Sequence, residues 1–144
     1  MNRIDIWTDT INIVMDFPLF GTGLGTFKNI YPQYQSENSR FLFDHAENDY
    51  LEIVTDMGVA GFFIIIGMAF VFSYSVTKAW RKRHDNFIKC IVAGGMSSCV
   101  AIAVHSFTDF NLRIPANMML LTVIAAITYS SVLIPTDKKY SDAI

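Results

Sequence analysis

The chain has 144 residues, of which 52% are hydrophobic and only 17% charged, where soluble domains carry roughly 25% charged residues. A formal charge of −2 leaves no basic surface for nucleic acid, and Cys90 and Cys99, both inside an apolar run and without C-x-x-C spacing, exclude a disulfide framework or a thiolate metal site. The first ten residues, M-N-R-I-D-I-W-T-D-T, are acidic and have no signal-peptide core. A chain that starts this way yet carries a loop outside the cytoplasm is expected to be a piece of a longer polytopic protein.

Residues 3–17 place Ile4, Trp7, Ile11, Val14 and Met15 at helical spacing, which predicts an amphipathic helix packed through that stripe and stopped by Pro18. The next stretch, L-F-G-T-G-L-G-T-F, invites comparison with nucleotide-binding loops. It has Thr26 where the dinucleotide fingerprint needs glycine, and no Gly-Lys-Ser/Thr for a Walker loop. It reads instead as a turn in which backbone approaches a neighbour closely. Residues 26–43 have no clear period and read as a loop with one helical turn. Residues 43–56, F-D-H-A-E-N-D-Y-L-E-I-V-T-D, then predict an amphipathic helix starting at His45, with Asp44 as N-cap and Glu47 completing a variant capping box. His45, Asn48, Asp49, Glu52 and Asp56 share one face of it.

Three apolar runs follow, at about residues 57–77, 87–107 and 115–134, each long enough to cross a hydrocarbon core of roughly 30 Å. Gly94, Gly95, Ser97, Ser98 and Cys99 give the second run a small-residue face suited to close helix packing, and Pro115 opens the third. The fold class is therefore an all-α membrane protein, three transmembrane helices preceded by a mostly helical loop. Lys78, Arg81, Lys82 and Arg83 lie between the first two spans, and Lys138 and Lys139 follow the third, so the positive-inside rule puts both segments in the cytoplasm. Residues 1–56 and the interval 105–113 then share the opposite side, with residues 57–134 as the membrane part and 135–144 as a cytoplasmic tail.

On that opposite side stand Arg3, Asp5, Lys28, Arg40, His45, Asn48, Asp49 and Glu52 from the loop, with His105, Asp109 and Arg113 from the second hairpin. A histidine accepts a proton near neutrality, and an arginine holds phosphate oxygens in a bidentate fork. Together they suit attack by a hydroxyl with departure of a phosphate. His105, Asp109 and Arg113 are spaced i, i+4, i+8 and would align if their helix continued, although Pro115 limits it; the plainer alternative is a hydrogen-bonded helix end. Asp49, Glu52 and Asp56 are expected to repel a phosphate, which leaves His45, with Asn48 beside it, as the favoured site.

The ordered set R-x-x-x-W at Arg3 to Trp7, then D-F-P-L-F-G-T-G-L-G-T-F, then D-H-A-E-N-D-Y-L-E, then M-G-V-A-G, is similar to the O-antigen ligase family, which also includes O-antigen polymerases and protein O-oligosaccharyltransferases. The resemblance extends over essentially the whole chain, set against that family's large periplasmic loop and its last spans. It implies a multi-pass protein of the bacterial inner membrane, with further spans upstream, that moves a glycan from an undecaprenyl-pyrophosphate carrier to a hydroxyl of lipid A-core, another glycan or a protein. It implies neither cofactor nor metal. Arg3 resembles the loop arginine that binds the lipid pyrophosphate, and His45 the histidine that activates the acceptor. Asn48, Arg40, Arg113, His105 and Asp109 are then the candidate substrate contacts. A repeat-unit polymerase uses the same donor and stays open as an alternative. So do a transporter with His105, Asp109 and Arg113 along its path, and a noncatalytic assembly subunit. No charge sits at the centre of a span, which argues mildly against the transporter.

Overall fold

A computed structural model of the chain describes residues 3–36 and 45–134, and every described element is helical. Helix α1 (Arg3–Asp16) is followed by a glycine loop, a single turn α2 (Phe27–Ile30) and a 3-10 turn (Tyr31–Gln33). Three long helices follow: α3 (Asp49–Arg81), α4 (Asn86–His105) and α5 (Pro115–Leu133), with a 3-10 turn (Asn111–Arg113) between the last two. All three are long and apolar enough to cross a membrane, which makes this a membrane protein.

Helix α1 buries a different face from the one its apolar spacing predicts. Ile4 and Met15 are each 72% exposed and Ile11 is exposed as well, while Ile6, Asp9, Thr10 and Ile13 are buried. Burial of this mixed face is possible because its polar groups are satisfied. Asp9 accepts from the Tyr31 hydroxyl at 3.3 Å, from the Ser36 amide at 3.2 Å and from the Ser36 hydroxyl, and the Thr10 hydroxyl donates to the Ile6 carbonyl at 2.6 Å. Ile6 and Ile13 pack with Phe27, Tyr31 and Ala46. The Phe27 and Tyr31 rings stack at 5.1 Å. Each such large buried side chain contributes about 1.5–3 kcal/mol, so this small core holds α1 and α2 together ahead of the membrane helices.

The helix expected to start at His45 starts four residues later. Glu47 has a left-handed φ of 53°, which no helix accommodates, so the chain turns there. Asn48 takes the capping role: its Oδ1 accepts from the amides of Tyr50 (3.0 Å) and Leu51 (3.2 Å). Asp44, the cap expected from the sequence, lies outside the described residues.

Helix α3 is broken at Gly58, where φ is 66° and ψ −175°, a conformation essentially confined to glycine. The glycine loop splints this break. The amides of Thr22 and Gly23 donate to the carbonyls of Thr55 (2.8 Å) and Asp56 (2.9 Å), which end the first part of the helix. The carbonyls of Pro18 and Leu19 accept from the amides of Val59 (2.9 Å) and Ala60 (3.3 Å), which begin the second part. The groups that a broken helix leaves without partners are thus met by one loop. Residues 59–81, at about 1.5 Å each, still reach roughly 34 Å. The close approach demands glycine on both sides: a Cβ on Gly58 would sit 2.3 Å from the Leu19 carbonyl group, and one on Gly21 2.5 Å from Thr55 O.

Helices α4 and α5 pack through one member of the small-residue face. A Cβ on Gly95 would lie 1.8 Å from Thr128 Oγ1, whereas one on Gly94 would meet nothing within 4 Å. At the far end Val76, Ile88, Val92 and Val132 form a second core, Trp80 donates to the Lys89 carbonyl at 3.2 Å, and the Arg83 guanidinium donates to the Val132 carbonyl near the end of α5.

Two stability predictions follow from these contacts. Gly58→Ala should lower thermal stability in detergent by about 2–3 kcal/mol through backbone strain alone, with added loss from the collision at Leu19. Gly67→Ala, with open space around it, should be neutral or slightly stabilising in the same melt. Burial first, and the adjacent Asp9 carboxylate second, push the Tyr31 phenol well above its ordinary value of 10.0. The stability that this provides is complete below the unfolded value near 10 and is lost as pH rises toward the folded one. Unfolding midpoints should therefore fall with a measurable slope above about pH 10, and Tyr31→Phe should flatten that slope.

Candidate active site beside the broken helix

The first two turns of α3 carry Asp49, Glu52 and Asp56 on one face, and all three are buried to 1% exposure. Three carboxylates in two turns are costly to bury unless each finds donors. Asp49 Oδ2 accepts from the Leu112 amide at 3.1 Å. Asp56 Oδ2 accepts from the Gly25 amide at 2.9 Å and from Arg113 Nη2 at 2.6 Å. Glu52 Oε1 meets Arg113 Nε at 3.2 Å and His45 Nδ1 at 3.0 Å, while its Oε2 accepts from the Ala46 amide at 3.3 Å. Arg113 is therefore shared between two carboxylates one helical turn apart. The sequence led us to set these acids aside as repelling a phosphate; in the structure Glu52 and Asp56 also anchor Arg113, and Glu52 meets His45.

His45 precedes the helix and is held from two sides. Its Nδ1 faces Glu52, and its ring stacks on Phe110 at 4.7 Å with only 15° between the planes. A carboxylate on Nδ1 favours the tautomer with hydrogen on that nitrogen, leaving Nε2 with a lone pair. The side chain is 36% exposed, so Nε2 is within reach of a substrate.

A cavity of about 220 Å³ opens at this point, lined by Gly25, Phe27, Lys28, His45, Glu52 and Arg113. Four elements build it: the glycine loop, α2, the start of α3 and the turn before α5. The turn after α4 is tied down by Asn48, whose Nδ2 donates to the Phe107 carbonyl at 3.1 Å, and by the Asp49 amide, which donates to the Ser106 carbonyl at 3.0 Å. Asn48 thus spends its oxygen on the helix cap and its amide on the neighbouring turn, a positioning role.

The other residues singled out by sequence are dispersed. Arg3 Nε pairs with Glu47 Oε2 at 2.7 Å and its Nη1 donates to the Thr108 carbonyl at 2.9 Å; it clamps α1 to both loops and does not line the cavity. His105, Asp109 and Arg113 do not share a helical face, because α4 ends at His105. The His105 ring contacts the Asn111 amide. Asp109 Oδ1 accepts from the Phe110 amide at 2.8 Å within its own turn. Arg113 alone of this group reaches the cavity. Arg40 lies outside the described residues. Among the described residues no group of three or more His, Cys, Asp or Glu is arranged to hold a metal ion. Sequence reasoning underrated Glu52 and Asp56, although their spacing of seven and eleven residues from His45 put them on the right face.

Arg113→Gln should strand Glu52 and Asp56 without a cation and cost about 3 kcal/mol in thermal unfolding. Arg3→Gln removes a pair that is 56% exposed on the arginine side and should cost below about 1 kcal/mol in the same measurement.

No curated protein and no solved structure matches the chain. One family model does, over the stretch that contains α1, the glycine loop, Lys28, His45 and the buried acids. Residues 1–66 match the O-antigen ligase family, the same family that the sequence motifs resemble, in a chain whose remaining described residues complete three membrane-spanning helices.

Proposed function

We propose that this chain carries part of the active site of a lipid-linked glycan transferase, which moves a glycan from a polyprenyl pyrophosphate to an acceptor hydroxyl. The O-antigen ligase match supports glycan transfer in general. The observation that supports the finer reading is the His45–Glu52–Arg113 cluster, a carboxylate-oriented imidazole lining a cavity next to the start of a membrane span. In this mechanism the acceptor hydroxyl gives its proton to His45 Nε2 as its oxygen bonds to the anomeric carbon. The bond from that carbon to the pyrophosphate oxygen breaks, and the carrier pyrophosphate leaves with the electron pair. Glu52 holds the imidazole in the required tautomer and stabilises the imidazolium that forms, while direct displacement inverts the anomeric centre. No step calls on a metal or cofactor.

The placement that goes with this reading has residues 1–56 and the turn at 105–113 on the periplasmic face of a bacterial inner membrane, and the Lys78–Arg83 cluster with the C-terminus in the cytoplasm. Its support is that the two polar segments meet: Arg3 reaches Thr108, and Asn48 reaches Phe107. Ligase and repeat-unit polymerase share this chemistry and differ in the acceptor, so the products separate them.

In cells that make the surface glycan, the full-length protein with His45→Ala should lose at least about 10²-fold of glycan transfer, the usual size of a general-base contribution. Glu52→Gln should retain more activity than His45→Ala, because the amide can still accept from Nδ1. Wild-type levels of transferred glycan from His45→Ala would sink this assignment.

A further inference from the structure

The charge balance around the cavity points to a residue with no role so far. A pyrophosphate needs cationic charge that is not already committed. Arg113 is shared by Glu52 and Asp56, and Arg3 is paired with Glu47 away from the cavity. Lys28 also lines the cavity, from α2, and has no carboxylate or hydrogen-bond partner among the described residues. Its backbone is fixed even though its side chain is exposed: α2 is held by Phe27, which is 1% exposed and stacked on Tyr31. The glycine loop just before it is bonded to the end of the first part of α3 through Thr22, Gly23 and Gly25. An ammonium on a short, anchored turn, lining the same cavity of about 220 Å³ as a histidine, is well placed to meet an anion held in that cavity.

We infer that Lys28 is the cation that contacts the phosphate oxygens of the lipid-linked donor, in the cavity that it lines together with His45. The inference rests on the glycan-transfer reading above and adds the residue that holds the leaving group. Arg113 in this arrangement organises the carboxylates and is not a phosphate ligand. Lys28 stabilises the charge that gathers on the departing pyrophosphate as the anomeric bond breaks, and His45 takes the acceptor proton.

The test uses the purified full-length protein in a maltoside detergent without phospholipid, titrated with undecaprenyl pyrophosphate and, as the phosphate-free control, with undecaprenol. Lys28→Met should weaken pyrophosphate binding about 10- to 100-fold, the loss of one charge-assisted contact. Lys28→Arg should bind within a few-fold of wild type, and neither change should alter undecaprenol binding. Unchanged pyrophosphate affinity in Lys28→Met overturns the inference and leaves the transfer reading standing, since that reading fails on full transfer by His45→Ala instead. A phospholipid headgroup is the other source of the same chemistry. If Lys28→Met loses affinity for added phosphatidylglycerol and keeps it for undecaprenyl pyrophosphate, the lysine is a membrane anchor and the inference is likewise overturned.

Discussion

Most of the arrangement depends on the break in α3 at Gly58 and on the loop that splints it. A helix interrupted in this way leaves carbonyls at one end and amides at the other, and hydrocarbon would offer neither any partner. Residues 18–25 supply both, with the Pro18 and Leu19 carbonyls on one side of the break and the Thr22 and Gly23 amides on the other. The short first part of α3 is thereby freed from the direction of the span, and its acidic face turns toward the loop. Without the break, Asp56 would continue a membrane helix and could not meet both Gly25 and Arg113.

The second constraint is electrostatic. Three carboxylates buried within two turns form an assembly that is stable only while complete. Arg113 arrives from a turn more than fifty residues away in sequence, and the backbone amides of Gly25, Ala46 and Leu112 each meet one oxygen of Asp56, Glu52 and Asp49, while the second oxygens of Asp49 and Asp56 are buried without a partner among the described residues. This assembly orients His45 through Glu52. It also explains why positive charges that look free in the sequence are not equivalent: two arginines are committed to carboxylates, while Lys28 meets none among the described residues. The site is thus built by acids that hold its bases in place.

The apolar surface follows from the same architecture. Ile4, Met15, Leu19 and Phe20 are exposed around the loop that abuts the start of the span, and Phe63, Ile64 and Met68 continue outward exposure along α3. A soluble domain could not leave such side chains in water. Their accumulation on and beside the spans fits a chain surrounded by lipid and by other membrane helices, and it leaves the polar cavity confined to the end where α1, α2 and the two turns gather.

Much of this was legible in one dimension. Apolar run length alone determined the three spans, because crossing a hydrocarbon core is a demand on consecutive residues. Proline and glycine positions marked the end of α1, the close-approach loop and the start of α5. The face of α1 was misread, since apolar spacing cannot show that Asp9 and Thr10 will find partners in Tyr31, Ser36 and their own backbone. The start of α3 was misread because a cap at Asp44 and a cap at Asn48 look alike until the turn at Glu47 rules out the first. Sequence by itself showed that His45 and an acidic face share a short motif, because helical spacing alone puts them together. Only the tertiary structure decided which cations stand near them: Arg113 through two carboxylates, Lys28 in the lining of the same cavity, and Arg3 elsewhere. Pairing between distant segments is set by where turns place side chains and which charges are already neutralised, and local spacing carries no record of either.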